Sequence, residues 1–147
     1  MGVLTLPESG TVYLDANGFI YSIERIDPYR SLLDTLWLTV STWKVKVVTS
    51  ELTLLEVLVK PLKVGDATTA TLFRTVLKHT PDVQMLPITE SVLEAAANLR
   101  ATLGLKTPDA IHVATALLNN STLFVTNDSA FRRVTDLNVT VLSELIK

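Results

Sequence analysis

Thr11-Val12-Tyr13-Leu14-Asp15-Ala16-Asn17 opens with a β-branched and aromatic run that stops on an acid. Val12 to Leu14 read as a buried first strand, and a helical stretch follows from about Asn17 to Glu24. The same strand-then-helix alternation recurs along the chain. Asp27-Pro28 reads as a cap followed by a proline at the first helical position, opening a helix with Leu32, Leu33, Leu36 and Trp37. Val45, Val47 and Val48 form a second strand, and Ser50 caps a helix expected to end near Lys60, because Pro61 cannot continue it. Gly65-Asp66 starts another helix, running to about Lys78. Val83 to Leu86 is a strand, and Thr89-Glu90 opens a helix that reaches Leu103 and stops at Gly104. Thr107-Pro108 opens the next helix, which ends at Asn119-Asn120. Leu123-Phe124-Val125, a short helix from Asp128 to Arg133, and Val139-Thr140-Val141 complete the chain. Short strands alternating with longer helices predict an α/β fold: a three-layer α/β/α sandwich around a central parallel sheet of four to five strands, in one domain over residues 1–147.

Composition narrows the function classes. At 147 residues with 48% hydrophobic content, the chain has enough material for a packed core and is not a disordered one. Every apolar run is interrupted by Asp, Lys, Thr or Pro before the ~20 residues a membrane span needs. MGVLTLPESG has no basic segment followed by a long apolar one, so no signal peptide is expected. The absence of cysteine excludes disulfides, zinc–thiolate sites and thiol nucleophiles, and fits a cytoplasmic location. A net charge of −2 argues against coating nucleic acid by bulk electrostatics. It leaves open a nuclease whose acids are neutralised by cations. Lys44, Lys46, Lys60, Lys63, Arg74 and Lys78 make the middle of the chain locally basic, which reads first as a solvated surface.

Four acids stand in informative places. Ligands of open parallel sheets bind beyond the carboxyl ends of the strands. Asp15 directly follows the first strand, and Asp128 follows Leu123–Val125 after Thr126 and Asn127. Glu56 sits within an apolar stripe of Leu52, Leu55 and Val59. Asp109 occupies the first turn of an almost wholly apolar helix, whose N-terminus is therefore expected to point inward. Each has a plain structural reading: Asp15 and Asp128 as caps, Asp109 as a partner of the helix dipole, Glu56 as an ion pair with Lys60. Together, four carboxylates at one end of a sheet would repel one another, and divalent cations are the simplest remedy. Mg²⁺ or Mn²⁺ takes such hard oxygen ligands. Glu51, beside Ser50, is sufficiently explained by the helix dipole.

The motifs Tyr13-Leu14-Asp15-Ala16-Asn17, Thr49-Ser50-Glu51-Leu52-Thr53-Leu54-Leu55-Glu56-Val57, Lys106-Thr107-Pro108-Asp109-Ala110-Ile111-His112-Val113-Ala114-Thr115-Ala116 and Val125-Thr126-Asn127-Asp128-Ser129-Ala130-Phe131 occur in that order. In this they resemble the PIN-domain family, and within it the VapC-type toxins of toxin–antitoxin pairs. The resemblance covers about residues 11–142. It implies a flavodoxin-like parallel sheet, divalent metal and hydrolysis of RNA. It assigns the acidic quartet, as metal ligands and catalytic groups, to Asp15, Glu56, Asp109 and Asp128. Asn17 and Thr126 match polar positions that help shape the pocket, Asn127 lies within the same motif, and all three are expected to meet substrate. A homodimer and a small antitoxin partner are implied as well.

The mechanism so expected is metal-dependent endoribonuclease action, by water activated on ions held by the quartet. Arg132 and Arg133 are phosphate contacts or favourable charge at a short helix end. His112, at i+3 from Asp109, reads as a buried structural histidine within reach of the site, and His79 as a surface residue. No G-x-S-x-G elbow, P-loop or G-x-G-x-x-G is present. The rivals are a phosphoacceptor receiver domain, which would need an acidic pair after the first strand; a dehalogenase-like phosphatase, which would need an acid where Asn17 stands; and a non-catalytic PIN-like module that binds RNA or protein. Ile23, Ile26, Tyr29, Leu33, Trp37 and Trp43 are expected to be core in the main, with a partner surface as the second use.

Overall fold

A computed structural model describes residues 2–146. Five strands, β1 (Gly10–Leu14), β2 (Val45–Ser50), β3 (Val83–Leu86), β4 (Leu123–Thr126) and β5 (Val139–Val141), form one parallel sheet in the order β3-β2-β1-β4-β5. The first strand is thus central. Val12 lies beside Val47 on one side and Leu123 on the other, and Leu14 pairs with Val125. The chain builds outward from β1 through β2 and β3, then returns to place β4 and β5 on its other flank. That reversal puts a topological switch point between the carboxyl ends of β1 and β4, where doubly wound sheets of either common strand order open a ligand crevice.

Strand alternation sends successive residues of β1 to opposite faces. Val12 and Leu14 join Val47 and Val125 in one core, packed against Phe19 of α1 (Ala16–Ile23), Leu33 and Leu36 of α2 (Tyr29–Val40), Val57 of α3 (Glu51–Val64), and Phe73 and Leu77 of α4 (Ala67–His79). Tyr13, Val48 and Phe124 face the other way, onto α5 (Glu90–Leu103) and α6 (Thr107–Leu118). Residues Ala110 through Ala116 of α6 are all buried, so this helix lies deep against the sheet. Two 3-10 turns, Ser129–Arg133 and Leu142–Leu145, follow β4 and β5. The three-layer parallel arrangement expected from the alternation is the one observed. Among the described residues no helix is long and apolar enough to cross a membrane.

Three local expectations need correction. Pro61 does not end α3; the helix continues to Val64 and stops at Gly65, whose φ of 76° is left-handed and whose N–H bonds the Pro61 carbonyl. Proline forfeits one helical bond, but Pro61 is buried and contributes apolar contact in return. The buried line of α3 is Thr53, Val57 and Pro61, whereas Leu55 and Val59 face outward, so Glu56 borders a different stripe from the one its neighbours imply. Finally, Pro28 and not Asp27 is the N-cap of α2; the Asp27 carboxylate instead accepts the Ser31 hydroxyl at 2.8 Å.

Candidate active site

Asp15 stands where β1 ends and α1 begins, and its carboxylate is the cap of that helix. Oδ1 accepts the Gly18 N–H at 3.3 Å and Oδ2 accepts the Thr126 hydroxyl at 2.6 Å, so both neighbouring elements grip it. Gly18 is required here: a Cβ at this position would overlap the Leu14 side chain. Only 6% of Asp15 is exposed. Burial pushes its carboxyl above the ordinary aspartate value, against the Thr126 hydroxyl, the charge of His112 and the Gly18 amide, and Glu56 pushes it further up.

Asp128 follows β4 and caps the 3-10 turn, accepting the Ala130 N–H at 2.9 Å while its own N–H donates to Thr126 Oγ1 at 3.2 Å. Asp109 enters from the first turn of α6, which has no side-chain cap. Its carboxyl is raised by partial burial and then by the charge of Asp128; Glu56 adds to this, while His112 and Lys106 oppose it. Glu56 comes from α3. It does not pair with Lys60, which reaches Glu24 at 3.7 Å; its Oε1 meets His112 Nε2 at 2.5 Å.

These four acids line one cavity of about 250 Å³, together with Ala16, Asn17, Ile20, His112 and Phe131. Among the described residues no lysine or arginine lines it. Burial first, and then the neighbouring acids, make Asp15 and Asp109 hold protons more tightly than usual. The oxygen-only acidic set suits a hard divalent cation. Among the described residues no three His, Asp or Glu side chains are grouped so as to hold a metal ion by themselves. An ion that retains several waters and borrows oxygens from a phosphate needs no such closed cage.

The pocket takes in Asn17, exposed at its lip, and Thr126 supports it from below through Asp15. Asn127 and Arg132 are not brought to it. The Asn127 amide donates to Tyr21 Oη at 3.0 Å and its oxygen accepts the Ser143 N–H at 2.8 Å. Arg132 is turned toward Glu144 and the Val139 carbonyl, and Arg133 toward the Leu103 carbonyl. Glu51 sits outside as well, accepting the Ile88 N–H at 3.0 Å. Sequence reasoning passed over Tyr13, whose phenol lies 2.6 Å from His112 Nδ1. Its one signal is a polar tip among the buried residues of its strand, on the face that α6 covers.

A parallel α/β domain whose switch-point crevice is lined by carboxylates from four elements defines the class. The family follows from the sequence: the model of the PIN domain matches residues 12–137, and the chain belongs to that family. No curated protein matches it significantly. Among solved structures, the chain resembles VapBC2 from Rickettsia felis, bound to a DNA fragment from its promoter, with a TM-score of 0.69 and 18% identity over 89% of this chain and 98% of that one. A toxin–antitoxin complex from Klebsiella pneumoniae gives 0.66 and 22% over 89% and 97%. VapC20 of Mycobacterium tuberculosis, a sarcin–ricin loop cleaving toxin, gives 0.64 and 15% over 77% and 86%. At these identities the likeness is one of fold.

Proposed function

We propose that this PIN domain is a metal-dependent endoribonuclease and the toxin of a type II toxin–antitoxin pair. The observation that carries the proposal is the convergence of Asp15, Glu56, Asp109 and Asp128 on one crevice without a lysine or arginine among its described lining residues. Two of the similar folds support it, one from a toxin–antitoxin complex and one from a toxin that cleaves the sarcin–ricin loop. Asp15, Glu56, Asp109 and Asp128 would hold Mg²⁺ or Mn²⁺. A bound divalent cation supplies polarisation of the phosphoryl oxygens and a lowered pKa for bound water. The chain's own part is to hold the acids in register. Thr126 and Gly18 fix the two Asp15 oxygens from opposite sides. Ile20 and Phe131 wall the crevice with apolar surface, and Asn17 at the lip offers an amide to the RNA backbone.

We place the protein in the cytoplasm as a homodimer with a cognate antitoxin. Leu55, Val59 and Leu62, at helical spacing on α3, are 61%, 55% and 58% exposed and form an outward apolar stripe suited to a second copy. Cleavage of a structured RNA in Mg²⁺, with and without EDTA, tests the activity. Wild type cuts only with metal, and Asp15→Asn and Asp109→Asn remain folded but inactive. Full activity in both variants, or undiminished cleavage in EDTA, overturns the proposal.

A further inference from the structure

We propose that Tyr13 and His112 form a positioning relay that fixes one oxygen of Glu56 and leaves the other free to meet a divalent cation. The inference rests on the metal-dependent reading above. His112 is only 3% exposed, so both ring nitrogens need partners inside the protein. Nδ1 lies 2.6 Å from Tyr13 Oη, and Nε2 lies 2.5 Å from Glu56 Oε1. For the neutral imidazole, one assignment of protons satisfies both ring partners. The Ser50 N–H donates to the Tyr13 oxygen at 3.1 Å. With its oxygen accepting that N–H, the Tyr13 hydroxyl is left to direct its own proton at Nδ1. An accepting Nδ1 leaves the ring proton on Nε2, where it is donated to Glu56 Oε1.

The parts are held from several sides. The Tyr13 and His112 rings meet edge-on at 5.8 Å, and Tyr13 stacks on Phe124 with centroids 4.9 Å apart and planes within 3°. Neither ring can turn without disturbing the core. The relay begins at Ser50, which caps α3, the same helix that carries Glu56. The residue whose hydroxyl caps the helix therefore also sets, through its N–H and two side chains, the orientation of a carboxylate along it. A partner that orients a ligand's second oxygen commonly governs metal affinity as strongly as it governs geometry.

The tautomer is read directly from the imidazole ¹⁵N spectrum of the metal-free wild type at alkaline pH. Protonation on Nε2 with a bare Nδ1 is expected, and a protonated Nδ1 overturns the relay. Mn²⁺ binding followed by electron paramagnetic resonance gives the second readout. Tyr13→Phe weakens Mn²⁺ about tenfold or more. His112→Gln keeps a donor at the same bond distance along its side chain and stays near wild type, whereas His112→Ala loses as much as Tyr13→Phe. Adding Tyr13→Phe to His112→Gln costs nothing further, because an amide has no tautomer to set. Equal Mn²⁺ affinity in wild type and Tyr13→Phe, or the same loss in both backgrounds, overturns the relay while leaving the metal reading intact. Should Tyr13→Phe fail to fold, the contrast between His112→Ala and His112→Gln decides: equal affinities overturn the relay. A wild type that binds no Mn²⁺ overturns the metal reading and the relay with it.

Discussion

The Thr126 hydroxyl donates to Asp15 Oδ2 at 2.6 Å, joining residues 111 positions apart in the chain. It ties the end of β4 to the end of β1 at the switch point. The same oxygen accepts the Asp128 N–H, so one hydroxyl orients two of the four acids.

Thr126→Val removes both contacts while keeping the shape. Hydrogen bonds to charged groups are worth about 1.5–3 kcal/mol. The metal-free protein should lose stability of that order at neutral pH in urea unfolding. The Asp15 carboxyl, deprived of the hydroxyl that favours its charge, should titrate higher still by carboxyl ¹³C NMR. An unmoved Asp15 titration contradicts the role assigned to Thr126.

The part of the metal-free stability set by Asp15 and Asp109 should fall as the pH rises. Asp15 and Asp109 are both raised from 3.8 in the folded state. Between that value and their folded values the native state binds more protons than the unfolded one, so the slope of stability with pH is negative there. Their contribution is greatest below 3.8 and is lost as the pH climbs through the folded values. Asp109→Asn should flatten this profile and melt higher than wild type in EDTA at neutral pH. Melting curves across pH in EDTA check it, and an Asp109→Asn profile that still parallels wild type rules it out.

Mg²⁺ or Mn²⁺ should reverse that loss. A ligand at a hundred times its Kd stabilises by about 2.7 kcal/mol. Addition of Mn²⁺ at neutral pH should raise the melting temperature of wild type, leave Asp15→Asn unmoved, and be undone by EDTA. Equal shifts in the two proteins would place the ion elsewhere.

Gly18→Ala should disturb the site from beneath. The new methyl overlaps Leu14, which is fully buried and cannot yield freely. Overpacking of this kind costs about 1–3 kcal/mol. Relief by shifting α1 carries the Gly18 N–H off Asp15, so RNA cleavage should fall further than stability alone explains. Activity per folded molecule, measured after correcting for the unfolded fraction, tests this.

Leu55→Glu with Val59→Glu should break self-association without unfolding the chain, because both side chains already face outward. Light scattering should report a monomer for the variant and a dimer for wild type. Identical masses exclude this face as the dimer contact.

Strand–helix alternation carried most of the fold in the sequence, because Val12, Val47 and Phe124 sit on strands covered on both faces. Asp15 and Asp128 were legible because a strand end in a parallel sheet is a fixed place. Glu56 was harder. The apolar residues around it suggest Leu52, Leu55 and Val59 as the buried line, but the actual line includes Thr53 and Pro61, and Thr53 is accommodated by a 2.6 Å hydroxyl contact with Thr49. Pro61 misled for the same reason, since local cost was weighed without the burial that offsets it. Asn127 and Arg132 were drawn to the site by proximity to Asp128 in sequence. The tight 3-10 turn that follows gives neighbouring side chains different directions, and theirs lead to Tyr21, Ser143 and Glu144. Tyr13 was invisible because only tertiary packing brings it to His112.

The central strand is made first, and the flank that completes the crevice comes from β4, near the far end of the chain. Translation proceeds from the N-terminus, so a ribosome-bound fragment that lacks residues 123–128 has neither the Thr126 hydroxyl nor Asp128. Such a fragment holds at most part of the crevice. All four acids can therefore meet only after β4 and the turn behind it have been made.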